Sequence, residues 1–267
     1  MIVKHISTMH KGKSLGLTMK IAIISDIHGN VDALNAVLES VSRWDYIWFL
    51  GDFVDYGPEP HIVVDIVKSL KPDAVVMGNH DNAVALNVDC MCAPEIHELS
   101  EYTRRNISLK FLSRDQLEWL KMLPKTAEVD IGNKRFYIVH GSPRNPLYGY
   151  MYPYLSLEEL KLSLTPSLVS LKPKPVRANV VVVGHTHIPM DIVVDSIKIV
   201  NPGSCGQPRD GDNRASYVVY DVETEIVEIR RVKYDVERVI GKLRELRLED
   251  KYFNQLASIL RIGRIYI

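Results

Sequence analysis

The stretch ANVVVVGHTHIP (178–189) carries a run of valines directly into a glycine and two histidines. Such a β-branched run predicts a buried strand. Gly184 permits a sharp turn at the end of that strand, and His185 and His187 follow it. One polar strand end carries little information, so the other strands must be inspected for the same ending.

Four other strand-like runs also end in carboxylate, amide or imidazole side chains. They are IAII (21–24), followed by Asp26 and His28; YIWFL (46–50), followed by Asp52 and Asp55; AVVM (74–77), followed by Asn79, His80 and Asp81; and KRFYIV (134–139), followed by His140. Ligand sites of open α/β sheets lie beyond the carboxyl ends of the strands. We therefore expect all five polar clusters to converge on one crevice.

The first part of the chain alternates strands with helices. Apolar residues at helical spacing in 31–43 and 61–70 separate the first three strand-like runs, which predicts a largely parallel β-α-β-α-β unit. Later strands are predicted at 134–139, 178–183, 197–200, 216–220 and 225–232. Residues 83–123 are predicted to be mostly helical, with Ser113 as an N-cap, and the final helical stretch 235–260 is predicted to break near Leu248.

Composition narrows the class of protein. The 267 residues are 46% hydrophobic and 25% charged, which is typical of a globular protein. Lys+Arg and Asp+Glu both number 33, so the net charge is zero, which argues against a nucleic-acid partner. Cys90, Cys92 and Cys205 do not form a disulfide framework, which favours free thiols in a reducing, cytoplasmic setting. No apolar run reaches the ~18 residues that span a bilayer, so no membrane association is expected. Residues 1–18 are interpreted as a disordered extension.

The chemistry of the polar clusters points to metal ions. Carboxylate and imidazole ligands suit Mn, Fe, Zn, Co or Ni. In extended backbone, residues at i and i+2 project to one side, as Asp26 and His28 would, and likewise His185 and His187. The set is too large for one tetrahedral ion and suits two ions that share a carboxylate. Paired metals about 3.5–4 Å apart are the arrangement used for phosphoryl displacement.

These motifs, D-x-H, GD-x-x-D, GNHD, a single His after a strand, and G-H-x-H, resemble in order those of the calcineurin-like metallophosphoesterases. The resemblance covers Met19 to Tyr234. It implies a four-layer α/β/β/α sandwich of two mixed β-sheets flanked by helices. The expected organisation is a single domain over 19–267, with insertions at 83–123 and 143–175.

The resemblance also implies a role for each motif position. The first metal would be held by Asp26, His28 and His187, the second by Asn79, His140 and His185, and Asp52 would bridge them. A hydroxide between the metals would be the nucleophile. His80 matches the family's catalytic histidine, and Asp55 matches the carboxylate that orients it, with Asp81 as the other candidate. Mn or Fe is favoured for the two divalent ions, with Zn, Ni and Co as alternatives.

One departure concerns the substrate. The Ser/Thr protein phosphatases of this superfamily read GD-x-x-DRG, and here Tyr56 replaces the phosphate-binding arginine. NPGSCGQPRDGD (201–212) resembles a compact prokaryotic branch that includes small phosphodiesterases and dinucleoside-polyphosphate hydrolases. Arg209 and Arg144 are both candidates for binding the substrate phosphate. The tyrosine run YGYMYPY (148–154) either stacks on an aromatic substrate group or packs onto the body of the protein.

The expected function is therefore hydrolysis of a small phosphodiester or nucleotide-like phosphate ester. A phosphomonoesterase or protein phosphatase, a nuclease and a non-catalytic scaffold are the alternatives. Loss of a ligand residue would favour the scaffold, and no ligand position is substituted here. The C-terminal helix, with Leu243, Leu256 and Leu260, packs either on the body of the protein or on another copy of the chain. A homo-oligomer is therefore one of the two alternatives.

Overall fold

The computed structural model describes residues 18–41 and 43–265. The predicted extension 1–18 lies outside the described residues, apart from Thr18. The strands of the described ranges are β1 Lys20–Ile24, β2 Tyr46–Phe49, β3 Ala74–Val75, β4 Thr126–Ile131, β5 Lys134–Val139, β6 Val180–Val182, β7 Met190–Val194, β8 Ile197–Asn201, β9 Ala215–Asp221 and β10 Val227–Val232. Their helices are α1 Val31–Ser40, α2 Pro60–Leu70, α3 Asn79–Leu86, α4 Pro94–Thr103, α5 Leu109–Phe111, α6 Arg114–Lys121, α7 Leu157–Ser163, α8 Val236–Glu245 and α9 Asp250–Ile262, with a π-helical turn at Arg104–Ser108.

The first sheet has the strand order β10-β9-β1-β2-β3. Strands β1, β2 and β3 are parallel, as the alternation of strands and helices predicts, whereas β9 pairs antiparallel with β1 and β10 pairs antiparallel with β9. The predicted AVVM strand is assigned at Ala74–Val75, and the N–H of Val76 still donates to the carbonyl of Phe49 in β2 at 3.0 Å. The pairing ends there because the N–H of Met77 donates instead to the carbonyl of Pro124 at 2.8 Å.

The second sheet has the order β4-β5-β6-β8-β7, with β5, β6 and β8 parallel and β4 and β7 as antiparallel edges. The sequence did not predict the two edge strands. Each exposes one face to solvent, so its charged residues dilute the apolar signal that marked the buried strands. Strand β4 forms a hairpin with β5 through Gly132, whose φ is +58°.

The two sheets pack face to face, and helices cover their outer faces. One apolar cluster lies between the sheets, where the rings of Trp48 and Phe136 pack edge to face with their centroids 5.0 Å apart. A second cluster joins the outer face of the first sheet to α1, α2 and α6. A third joins the outer face of the second sheet to α7 through Leu160 and Leu164. This is the expected α/β/β/α sandwich of two mixed sheets.

The helix ends follow the expected local rules. Ser113 caps α6 in a capping box with Gln116, which confirms the predicted N-cap. The C-terminal stretch breaks between Glu245 and Asp250, and α8 and α9 then pack with α4 in a cluster of their own. Among the described residues, every helix is too short or too polar to cross a bilayer.

Candidate metal centre

Five loops meet at the carboxyl ends of β1, β2, β3, β5 and β6. Backbone hydrogen bonds join them: the N–H of Asp26 donates to the carbonyl of Gly51 at 3.1 Å, and that of His28 to the carbonyl of Asp52 at 2.9 Å. Within the second sheet, the N–H of Gly184 donates to the carbonyl of His140 at 2.8 Å, and across the two sheets the N–H of His185 donates to Oδ2 of Asp26 at 3.3 Å. The predicted convergence is thus present, and it is built into the backbone.

The backbone at these strand ends is not extended. Seven non-glycine residues of the loops have left-handed φ values between 48° and 65°, namely Asp26, His28, Asp52, Asp55, Tyr56, His185 and His187. The extended i, i+2 geometry assumed from the sequence is therefore wrong for both pairs. Their side chains converge because alternate residues take left-handed turns, a conformation that concentrates at functional sites.

A first group of potential ligands surrounds one point in the crevice. Ligand atoms of Asp26, His28, Asp52 and His187 all lie within 4.8 Å of one another, and all four residues are buried. The Nε2 atoms of His28 and His187 are 3.2 Å apart, and Nε2 of His187 is 3.3 Å from Oδ1 of Asp26. These separations suit atoms that bind a common cation.

A second group adjoins the first and shares Asp52 with it. Ligand atoms of Asp52, His140 and His185 lie within 4.8 Å of one another. Oδ1 of Asn79 is 3.1 Å from Nε2 of His140, and the Asn79 amide nitrogen donates to the carbonyl of Cys90 at 2.9 Å, which directs Oδ1 towards the site. Asp52 is therefore placed to contact both positions, as a bridging carboxylate would.

Three of the histidines have their other ring nitrogen fixed by a backbone carbonyl. Nδ1 of His28 is 2.8 Å from the oxygen of Val54, Nδ1 of His140 is 2.7 Å from that of Leu50, and Nδ1 of His187 is 2.5 Å from that of Gln207. A carbonyl can only accept, so each Nδ1 carries the proton and each Nε2 directs a lone pair into the crevice. This is the usual outer support of a metal-bound histidine.

Protonation also fits a metal site. Burial lowers the pKa values of His28, His185 and His187 well below the usual range, which favours the neutral, metal-binding imidazole. Burial lowers the pKa of His140 too, but the carboxylates of Asp52 and Asp26 and the hydrogen bond to the Leu50 carbonyl together raise it, to about 9. A cation bound between His140 and Asp52 would take the place of that proton.

Each group contains a buried polar atom that has no hydrogen-bond partner among the described residues. These atoms are Oδ1 of Asp26 in the first group, Nε2 of His185 in the second, and Oδ2 of Asp52, which both groups share. Buried polar atoms of this kind are costly unless something satisfies them. Their positions, together with the imidazole and carboxylate chemistry, fit divalent cations.

His80 lies beside the shared carboxylate and is held by Asp55. Its Nδ1 is 2.9 Å from Oδ2 of Asp55, and its backbone N–H donates to Oδ1 of Asp52 at 2.9 Å. Burial lowers the pKa of His80, but the carboxylates of Asp52 and Asp55 raise it by more, to about 9. Of the two aspartates considered for orienting His80, the structure places Asp55 against its ring.

Asp81 holds the backbone instead. Its two carboxylate oxygens accept from the N–H groups of Asp52 at 2.7 Å, Phe53 at 2.9 Å and Gly78 at 3.0 Å. The turn that presents the shared Asp52 is therefore fixed from behind by a buried carboxylate.

The segment 83–123 contributes supporting residues that no sequence motif indicated. Ser108 donates to Oδ1 of Asp55 at 2.6 Å, Ser100 lies 3.2 Å from Nδ1 of His80, and Nε of Arg104 is 4.0 Å from Oδ2 of Asp55. Arg104 and Ser108 bound the π-helical turn, a feature often found at functional sites. No short sequence motif marks such a turn.

The two candidate phosphate-binding arginines differ in their surroundings. Arg209 donates to the side-chain oxygen of Gln207 at 2.8 Å and lies 6.0 Å over the ring of Tyr56, whose hydroxyl is 3.5 Å from Nε2 of His80. Arg144 donates to the carbonyls of Ser170 and Leu168, at 3.0 and 2.7 Å. Arg209 therefore faces the crevice, whereas Arg144 fastens a neighbouring loop.

The tyrosine run extends from the centre to the surface. Tyr150 stacks on the ring of His185 with centroids 4.0 Å apart, Tyr152 stacks on Tyr150 at 5.5 Å, and Tyr154 on Tyr152 at 4.9 Å. Tyr154 is 73% exposed. The run thus packs onto the body through His185 and leaves an aromatic face at its outer end.

Comparisons with known proteins agree with this geometry. Residues 19–225 match the model of the calcineurin-like phosphoesterase superfamily domain, and the chain belongs to that superfamily. It is 32% identical over 250 residues to the uncharacterized protein MJ0912 of Methanocaldococcus jannaschii, covering 86% of this chain and 94% of that protein. The metallophosphoesterase from Sphaerobacter thermophilus, known from a crystal structure, is 32% identical in sequence to this chain. Its structure superposes with a TM-score of 0.75, and the match covers 92% of this chain and 100% of that one.

A shorter similarity involves enzymes that act on nucleotides. The symmetrical bis(5'-nucleosyl)-tetraphosphatase of Buchnera aphidicola is 31% identical over 134 residues. That match covers 48% of this chain and 46% of the tetraphosphatase, so the chain spans about half of that relative's length.

Proposed function

We propose that this protein hydrolyses a small phosphodiester or nucleotide-like phosphate ester with the help of two divalent cations. The observation that carries the proposal is the pair of buried ligand groups that share Asp52, each with an unsatisfied polar atom. Mixed oxygen and imidazole ligands favour Mn or Fe over a tetrahedral Zn site, with Zn, Ni and Co as the other candidates.

The assignment of ligands follows the two groups. Asp26, His28 and His187 would hold one cation, Asn79, His140 and His185 would hold the other, and Asp52 would contact both. Bound at such a centre, two divalent cations neutralise phosphate charge and acidify a water molecule so that it can act as the nucleophile.

His80 is proposed to protonate the leaving oxygen. Its raised pKa keeps the imidazole protonated through neutral pH, as a general acid requires. Asp55 occupies Nδ1, so Nε2 is the nitrogen that faces the reaction. Asp55 is therefore a positioning residue, and Ser108 fixes it in turn.

Arg209 is the preferred phosphate-binding residue, because Arg144 is already engaged by two backbone carbonyls. Two observations favour a substrate with an aromatic part. The partial similarity to tetraphosphatases concerns nucleotide hydrolases, and the exposed face of Tyr154 offers a stacking surface near the crevice.

The test is a substrate panel with the metal-loaded protein. Bis(p-nitrophenyl) phosphate, p-nitrophenyl phosphate, mononucleotides and dinucleoside polyphosphates are offered after loading with Mn²⁺, and bound metal is measured in parallel. We expect the diester or a nucleotide substrate to be hydrolysed, and chelation to abolish the activity. Failure of every substrate with two cations bound would refute the proposal.

A pair of histidine variants separates chemistry from folding. His80→Ala is expected to retain both cations and to lose about 10²–10⁴-fold in turnover. His97→Ala, at a half-buried histidine that pairs with the exposed Asp89, is the matched control and should keep both metal and rate. If His80→Ala instead loses metal while keeping its rate per bound ion, His80 is a ligand and the assigned role is wrong.

A further inference from the structure

Two cysteines of the insertion lie beside His80. Cys90 is buried and Cys92 is half-buried, and their side chains are within hydrogen-bonding reach of each other. The two sulfur atoms and a ring nitrogen of His80 all lie within 4.8 Å of one another. This cluster is separate from the two ligand groups that share Asp52.

The segment that carries the thiols is fixed by hydrogen bonds. The Asn79 amide donates to the carbonyl of Cys90 at 2.9 Å, the N–H of Met91 donates to the Asp89 carboxylate at 2.7 Å, and Arg104 donates to the carbonyl of Val88. Met91, between the two cysteines, has a left-handed φ of 50°. A strained residue held by several contacts presents both thiols in a defined place.

The spacing of the three side chains is close to that of a tetrahedral site. With Zn–S bonds of about 2.3 Å, two sulfur ligands stand about 3.8 Å apart. Separations of at most 4.8 Å therefore require side-chain movements of about 1 Å or less. The hydroxyl of Ser100 lies 3.3 Å from the Cys90 sulfur and 3.2 Å from Nδ1 of His80, so it lies next to both ligands.

We propose that Cys90, Cys92 and His80 form a third cation site, selective for Zn²⁺ over the harder ions of the main centre. Thiolate and imidazole are the ligands that Zn²⁺ prefers, whereas Mn²⁺ favours oxygen ligands. On binding, each thiol and the protonated imidazole of His80 release one proton to solvent, and two thiolates balance the double charge of the ion. The buried position is then electrically neutral, as burial requires.

The consequence for catalysis rests on the proposed function. Zn²⁺ bound to a ring nitrogen of His80 replaces the imidazolium by a neutral, metal-bound imidazole, which is a far weaker acid, so occupation of this site removes the general acid. Zn²⁺ would then inhibit a protein that Mn²⁺ activates, by binding outside the main centre.

A neighbouring group competes for the same thiol. Ligand atoms of Asp89, Cys90 and His97 also lie within 4.8 Å of one another, but that group has one thiol and an exposed carboxylate. Cys92 belongs only to the proposed site and His97 only to the alternative, so one variant of each tells them apart.

The decisive measurement uses Cd²⁺ as a spectroscopic substitute for Zn²⁺. The reduced protein, loaded with Mn²⁺, is titrated with Cd²⁺ while the ultraviolet sulfur-to-cadmium absorption is recorded. We expect one saturating band in the wild type, and for Cys92→Ser a smaller band with at least about 10-fold weaker binding. His97→Ala and Cys205→Ala, at the third and fully buried cysteine, should match the wild type.

Three results would overturn the site: no band in the wild type, an unchanged band in Cys92→Ser, or loss of the band in His97→Ala.

A separate activity measurement tests the inhibition. The Zn²⁺ concentration that halves the Mn²⁺-supported rate should rise at least about 10-fold in Cys92→Ser, with the zinc-free rate unchanged. A protein with no hydrolytic activity would refute the proposed function, yet the absorption band would still decide the site. If Cys92→Ser weakens Cd²⁺ binding but leaves the inhibitory Zn²⁺ concentration unchanged, the inhibitory role is refuted.

Discussion

Replacing Asp81 with alanine should destabilise the protein through the backbone behind the metal centre. Asp81 is fully buried and accepts three backbone N–H groups, from Asp52, Phe53 and Gly78. The alanine side chain accepts none of them. Since the affected turn presents Asp52, the same change should also weaken the binding of both cations.

The size of the effect follows from the number of lost acceptors. A buried N–H left without a partner costs about 1–3 kcal/mol. Three such groups give about 3–9 kcal/mol, and water that enters the space of the lost carboxylate favours the lower end, about 3–5 kcal/mol. At about 2–4 °C per kcal/mol for a chain of this size, the melting temperature should fall by roughly 10 °C. Asp81→Asn retains one acceptor oxygen and should fall about half as far.

The assay is thermal unfolding by circular dichroism, with each variant measured both metal-loaded and after chelation. Glu118→Ala, which removes an exposed carboxylate on α6, is the control and should melt close to the wild type. If Asp81→Ala melts within 2 °C of the wild type, a range set by about 0.5 kcal/mol, the carboxylate does not hold this turn and the reasoning fails.

Other variants test the remaining parts of the centre. Asp55→Asn removes a charge that raises the pKa of His80. Because the general acid works in its protonated form, the fall of kcat at alkaline pH should move about 1–2 pH units lower. An unchanged alkaline fall of kcat would show that Asp55 does not set the pKa of His80. Asp52→Asn should weaken both cations at least about 10-fold by metal titration, and the loss of only one would contradict bridging. Gly241→Ala in α8, where a Cβ would meet no atom of the described residues within 4 Å, should raise the unfolding free energy by about 0.5–1 kcal/mol. Gly184→Ala should lower it and reduce metal binding, since its Cβ would lie 2.2 Å from Oγ of Ser25 and 3.0 Å from Oδ2 of Asp26.

The buried strands were predictable because each pairs on both sides and is covered on both faces. Such strands are continuous apolar runs, and the predicted runs 21–24, 46–50, 134–139 and 178–183 contain the strands that end at Ile24, Phe49, Val139 and Val182. The order of the sheets was not predictable from these runs. Strands β4 and β7 are half exposed at sheet edges, so their sequences, such as TAEVDI, carry too little apolar signal.

The residues of the centre were predictable because they follow strands whose carboxyl ends must meet. Their supports were not predictable, because they come from distant segments without a motif of their own. Ser108, which hydrogen-bonds to Asp55, is 53 residues away from it in the sequence, and Gln207, whose carbonyl fixes the ring of His187, is 20 residues away from that histidine. The cysteines next to His80 were assigned as free thiols, and only the three-dimensional structure shows their proximity to that ring.

The left-handed loops explain why the intervening residues within the D-x-H and GD-x-x-D motifs are apolar. A non-glycine residue in this region costs about 1 kcal/mol, so the seven in the centre cost about 7 kcal/mol together. Hydrogen bonds from the N–H groups of residues 26–29 to the carbonyls of residues 51–53 offset about 1 kcal/mol each, or about 4 in total. Ile27 and Phe53, both fully buried in the core beneath the loops, supply the remainder at about 1.5–3 kcal/mol each. In D-x-H and GD-x-x-D the intervening residues Ile27, Phe53 and Val54 are thus anchors, because they must enter the core for the polar residues beside them to stay in strained positions at the crevice.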